Sequence, residues 1–181
     1  MKRIIFLVLV LASVHVYAQG IFKCNEGEIS FFSETSVENI DARNKNISSF
    51  INTSTKEVVF VVPIRNFKFK SSLMEEHFNE KYLESDKYPD AIFQGKINED
   101  LDFAKDGEYK VTAAGTMKMH GVEKAVTPSG TLTIKNGTLA LKCEFNVALK
   151  DYNIIVPKLV VANIAEVIPV KLNANYVPYK K

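Results

Sequence analysis

His77 and His120 are the only histidines beyond the first eighteen residues, and Glu75, Glu76 and Glu80 flank the first of them. Acid–base or metal chemistry would be sought there first. A helical zinc site needs two histidines one turn apart with a third ligand elsewhere, and no such spacing occurs. No Gly-x-Ser-x-Gly turn or phosphate loop is present, and neither Cys24 nor Cys143 sits in a nucleophile context. Asp100 and Asp102 fall in a polar, turn-rich stretch. The pattern predicts no catalytic residue, no metal and no cofactor. His77 reads as a helix histidine forming a hydrogen bond under a rim, with Glu76, Glu80 or Tyr82 as its only conceivable dyad partner. His120 before Gly121 reads as the end of a strand at a tight turn. The side chains that remain are apolar. Met117 and Met119, set among many phenylalanines, make an adaptable wall for a flexible apolar ligand.

The elements that must position this wall begin after a leader. Lys2 and Arg3 precede an apolar run from Ile4 to Ala12, and Val16-Tyr17-Ala18 ends in a small residue. This is the layout of a secretory signal peptide, so residues 1–18 are expected to be removed after Ala18. The expected product is one periplasmic or secreted domain, residues 19–181. The apolar run is too short for an integral membrane span. Without Lys2 and Arg3 the 23 basic residues become 21, matching the 21 acidic ones. Only Lys180-Lys181 remains as a basic run, which argues against nucleic acid as a partner. In an oxidising compartment Cys24 and Cys143 could be joined or remain two buried thiols, and spacing leaves both open.

One stretch predicts a helix. Ser72 with Glu75 forms a capping-box signature, and Leu73, Met74, His77, Phe78 and Tyr82 share a face up to about Tyr82. The rest alternates with period two. Strands are predicted over Glu28 to Glu34, Ile47 to Ile51 and Val58 to Val62, the last reading as buried on both faces. Pro63 suggests an edge or bulge. Asp41-Ala42-Arg43-Asn44 reads as a turn cluster. Further strands run from Ala91 to Ile97, Glu108 to His120 and Val122 to Ile134. Asn136-Gly137 predicts a tight hairpin into the strand carrying Leu139, Leu141, Cys143, Phe145, Val147 and Leu149 on one face. A last strand places Ile168, Val170, Leu172, Ala174 and Tyr176 together. Strands of a dozen residues span roughly 40 Å at about 3.3 Å per residue, long for a sandwich of this size. The predicted fold is all-β: a closed eight-stranded antiparallel barrel with one short amphipathic helix.

Three blocks of residues carry a resemblance. Phe69, Met74, His77-Phe78, Tyr82-Leu83, Tyr88-Pro89 and Phe93 form the first. Gly115-Thr116-Met117-Lys118-Met119-His120-Gly121-Val122 is the second, and Phe145 to Ile154 with Asp151-Tyr152-Asn153-Ile154 is the third. In this order they resemble the YceI-like, polyisoprenoid-binding family over essentially the whole mature chain. The resemblance implies a lipocalin-like barrel that binds a long apolar chain (an isoprenoid, a quinone-like lipid or a fatty amide), with no catalytic residues to carry over.

The expected partner is therefore a lipophilic small molecule, an isoprenoid or acyl chain held inside the barrel. Its expected lining is Phe31, Phe60, Phe69, Met74, Phe78, Phe93, Met117, Met119, Leu141 and Phe145. Tyr152 or His77 is expected to bond to a polar head group. The alternative is a barrel whose Phe and Met side chains fill the interior, working through its surface. Monomer and homodimer are both left open.

Overall fold

A period-two pattern that is apolar on one face must bury that face, and a sheet that closes on itself does so without leaving edges. The computed structural model of this chain describes residues 20–33, 39–155 and 165–179. The leader expected at residues 1–18, its cleavage point after Ala18, Pro157 and Lys180-Lys181 lie outside the described residues. The strands are β1 (Ile21–Ser33), β2 (Ile40–Asn44), β3 (Ser48–Asn52), β4 (Glu57–Pro63), β5 (Lys68–Phe69), β6 (Asp90–Ile97), β7 (Gly107–Met119), β8 (Val122–Val126), β9 (Ser129–Lys135), β10 (Thr138–Ala148) and β11 (Val167–Pro178). Helix α1 (Ser72–His77) lies between β5 and β6.

Eight of these strands form a closed ring in the order β1-β3-β4-β6-β7-β9-β10-β11, with β11 pairing back onto β1. Every pairing is antiparallel. The predicted barrel is correct, with β2, β5 and β8 as additional strands.

Four local expectations change. Asp41-Ala42-Arg43-Asn44 is not a turn; it forms most of β2 and pairs with β1. Ala42 is fully buried while Arg43 and Asp41 pair outside at 3.3 Å, so inside–outside placement overrides the turn preference of the residue types. The first strand starts at Ile21 rather than Glu28, and a bulge between Cys24 and Glu26 shifts its register against β11. That bulge moves the inward set from Phe22 and Cys24 to Ile29 and Phe31, which hides the alternation from a period-two search. The strand expected over Val122 to Ile134 is broken at Thr127-Pro128, where proline supplies no N–H for a ladder. Val58 to Val62 is not buried on both faces: Val58, Phe60 and Val62 point inward, whereas Val59 and Val61 are half-exposed on the outer wall. Pro63, the last residue of β4, lies beyond the final β3–β4 pair.

Two tight hairpins carry positive φ at both central residues. His120 and Gly121 have φ of 50° and 73°, and Asn136 and Gly137 have 50° and 72°. These are the primed turns whose twist matches antiparallel strands.

At the end of the barrel away from α1, Ile51, Leu132, Ile134, Leu139 and Tyr176 are almost completely buried and form a packed floor. The hydroxyls of Tyr176 and Ser49 bond to each other there at 2.8 Å. Burial holds the Tyr176 phenol neutral by raising its pKa. Replacing Tyr176 by Phe strands the buried Ser49 hydroxyl and should cost about 1–3 kcal/mol. A lower urea midpoint with unchanged slope, partly restored by adding Ser49→Ala, is the expected outcome; an unaltered midpoint would refute the role of this bond.

Candidate functional site

Between the floor and α1 the inward positions are not filled evenly. Gly95 and Gly115 face each other across β6 and β7, with Ala113 and Gly130 near them on the same wall. No larger residue fits at Gly115, where an added Cβ would lie 2.3 Å from the Gln94 carbonyl oxygen. The Phe93 ring covers Gly95 instead, and a Cβ there would meet it at 2.6 Å. Ala113 and Gly130, but neither Gly95 nor Gly115, line a cavity of about 540 Å³. Among the described residues its wall contains no Lys, Arg, Asp or Glu. Among the described residues the interior is therefore not filled, unlike the alternative considered from sequence.

Helix α1 lies across one end. Its N-cap is Ser71, one residue before the expected Ser72, and the Ser71 hydroxyl accepts from Met74 N–H at 3.4 Å. Glu75 does not complete a capping box. Its carboxylate accepts from Lys68 Nζ at 2.6 Å and from Phe69 N–H at 3.3 Å, fastening β5 to the helix. The bond from Lys68 is the main influence holding the Glu75 carboxyl below its usual range. Beyond His77 the chain widens into a π-type turn, Phe78–Tyr82, where Leu83 N–H reaches back to the Phe78 carbonyl at 2.9 Å. Phe78 packs against Phe31, Phe67 and Phe69, at centroid separations from 5.0 Å for Phe69 to 5.7 Å for Phe31. This aromatic cluster seats the helix.

Eleven of the twelve residues expected at the ligand line the cavity. Phe31, Phe60, Phe69 and Phe93 come from one arc of the wall, Met74, His77 and Phe78 from the helical cap, and Met117, Met119, Leu141 and Phe145 from the opposite arc. Tyr152 does not line it. This residue is 3 % exposed, packed behind the wall, so it is not available to a head group. Its carbonyl accepts instead from His120 Nδ1 at 2.9 Å, while His120 Nε2 meets Glu84 Oε2 at 2.9 Å. The His120 ring also stands edge-on to Tyr88 at 4.8 Å. The tight turn at His120 was readable from His-Gly, but the Glu84 and Tyr152 partners are long-range and leave no local signal. Phe67, Tyr82 and the inward face of β11 also line the cavity, as do Thr127, Ser129 and Asn146. The alternation of Phe67 and of β11 could have placed them; nothing in composition singles out the last three.

His77 and Tyr82 both reach the cavity, whereas Glu76 and Glu80 are exposed and outside its lining. Of the three dyad partners considered for His77, only Tyr82 shares its cavity. Cys24 and Cys143 are both buried and free. Cys24 stands opposite Tyr176 and Cys143 opposite Leu172, with β11 between their strands. Two strand spacings amount to about 10 Å, beyond the ~7 Å that a disulfide spans. Burial, with a smaller contribution from Glu144, pushes the Cys143 thiol up to about 11. It donates to the Ser129 carbonyl at 2.9 Å.

A family model described as the YceI-like domain matches residues 12–176. The chain belongs to the YceI-like family. No curated protein matches it in sequence. Among solved structures, a polyisoprenoid binding domain from Saccharophagus degradans implicated in plant cell wall breakdown superposes with a TM-score of 0.74 at 14% identity, covering 87% of this chain and 98% of that one. BcnA of Burkholderia cenocepacia gives 0.69 at 13%, with 82% and 95% coverage. The YCEI protein of Campylobacter jejuni gives 0.63 at 14%, with 82% and 90%. At these identities the likeness establishes the YceI-like barrel. Among the described residues no helix is long and apolar enough to cross a membrane.

The geometry predicts two unlinked thiols. Thiol titration should find both free after unfolding without reductant. In the folded protein at pH 7, the raised Cys143 pKa keeps the thiolate scarce, and alkylation should accelerate only as the pH climbs toward 11. A single species with no titratable thiol would contradict the strand register.

Proposed function

We propose that this YceI-like protein is a secreted or periplasmic carrier that holds one long apolar ligand in its barrel. The class is an isoprenoid, an isoprenoid quinone or a fatty-acid-like lipid, and the role is transport, storage or protection. The observation that carries the reading is the cavity of about 540 Å³, walled by aromatic, aliphatic and thioether side chains, with no Lys, Arg, Asp or Glu among the described residues of its lining. Such a wall gains affinity by burying hydrocarbon, at about 25 cal/mol per Å² less the cost of ordering the ligand. The polyisoprenoid binding named for the Saccharophagus domain supports the same class. The leader expected from Lys2 to Ala18 supports export. A non-catalytic role is favoured because the acids nearest His77 in sequence lie outside the cavity.

Native mass spectrometry of protein purified from its own compartment, followed by organic extraction, tests this directly. A discrete adduct that extracts as an isoprenoid or acyl chain is expected. A clean apo mass that persists with such lipids in excess would overturn the proposal. Phe145→Asp places a carboxylate against the hydrocarbon and should weaken retention at least about tenfold, since an unpaired buried charge costs several kcal/mol. Undiminished retention in the folded variant would remove Phe145 from the site.

A further inference from the structure

The cavity has a window in its side. Strand β9 pairs with β10 only as far as Gly130 opposite Cys143. Beyond that point β8 continues along β7, and β10 continues along β11, with no ladder between β8 and β10. The gap is bridged at its far end by the short turn Leu149–Tyr152, through the His120–Tyr152 bond at 2.9 Å and the approach of Lys124 to Asp151 at 3.9 Å.

Three of the residues that line the cavity are solvent-exposed: Thr127, Ser129 and Asn146. All three flank this gap, and every other lining residue is buried or half-buried. The helical cap at the barrel end contributes only half-buried side chains to the lining and is seated by the phenylalanine cluster. Among the described residues, the cavity therefore reaches solvent sideways, beside Thr127, Ser129 and Asn146.

A second hollow of about 410 Å³ lies outside the window and shares Val111, Ser129, Gly130 and Cys143 with the cavity. Its charged side chains are Lys110, Lys142, Glu99 and Glu144, two of each sign. Glu99 is already engaged by Thr112 through two bonds of 2.8 Å, and Lys110 by Thr131 at 2.7 Å. An anionic head would find no surplus of positive charge there. An uncharged one would find donors and acceptors without a charge to desolvate.

We infer that the ligand lies tail-inward, with an uncharged, hydrogen-bonding head held in the window by Thr127, Ser129 and Asn146. The inference rests on the carrier reading and deepens it. The window is the specificity-determining part of the site, and the cavity behind it is tolerant.

One chain with four heads provides the test: oleyl alcohol, oleate, oleyl phosphate and octadecene, each displacing N-phenylnaphthylamine from the full-length protein. Oleyl alcohol is expected to bind tightest. The double variant Ser129→Ala, Asn146→Leu should weaken the alcohol by about two- to tenfold for each hydrogen bond lost while leaving octadecene unchanged. An oleyl chain carrying a head-group diazirine should crosslink to residues 127–129 and 145–146. Crosslinks at Ser72–Tyr82, tighter binding of either anion, or equal weakening of alcohol and octadecene would overturn the window assignment and leave the carrier intact. If none of the four bound, the carrier reading would fall and this inference with it.

Discussion

The ladder between β1 and β11 is the constraint on which everything else depends. It joins the first and last described strands, from Phe22 opposite Pro178 to Phe31 opposite Val170. Without it the sheet would have two open edges and its apolar face would have to find another sheet. With it, eight strands curve round an interior wide enough to hold either side chains or one small ligand. Because this pairing links distant parts of the chain, it is also the contact that costs most chain entropy to make. The bulge at Cys24 and Glu26 lies within it and sharpens the bend where floor meets wall.

What the ring encloses is decided by where small residues replace large ones. Aromatic and aliphatic side chains fill the floor, and phenylalanines crowd the helical cap. Between them, Ala113 and Gly130 present little side-chain volume to the cavity, while Gly95 and Gly115 face each other across β6 and β7. An interior made only of Phe, Leu and Ile would have packed solid at the density usual for proteins. The same glycines let β6 and β7 approach so closely that a methyl group has no place at Gly115.

Much of this was legible in the sequence, because barrel strands alternate and this chain alternates over long stretches. The β10 face from Leu139 to Val147, the β11 face from Ile168 to Tyr176 and the Asn136-Gly137 hairpin emerge where the pattern puts them. So does the membership of the cavity wall, since inward parity in a closed barrel leaves a large residue few other places to be. Illegible features are those set by two strands at once. A bulge changes parity only relative to a partner, and Pro128 ends β8 without announcing which ladder is lost. Tyr152 was expected to bond to a polar head group. Its burial follows from the turn that carries it across to His120, a contact between residues far apart in the chain.

The break at Thr127-Pro128 also gives the barrel an uneven stiffness. Each of the eight ring strands has a ladder on both sides, whereas β8, outside the ring, is hydrogen-bonded among the described residues only to β7. Low-cost opening motions concentrate where backbone bonds are fewest and least buried. The end of β8 is anchored through Pro128, whose carbonyl still accepts from Ala113 N–H at 3.0 Å. Thermal breathing would widen one seam of the wall while the floor around Tyr176 keeps its shape.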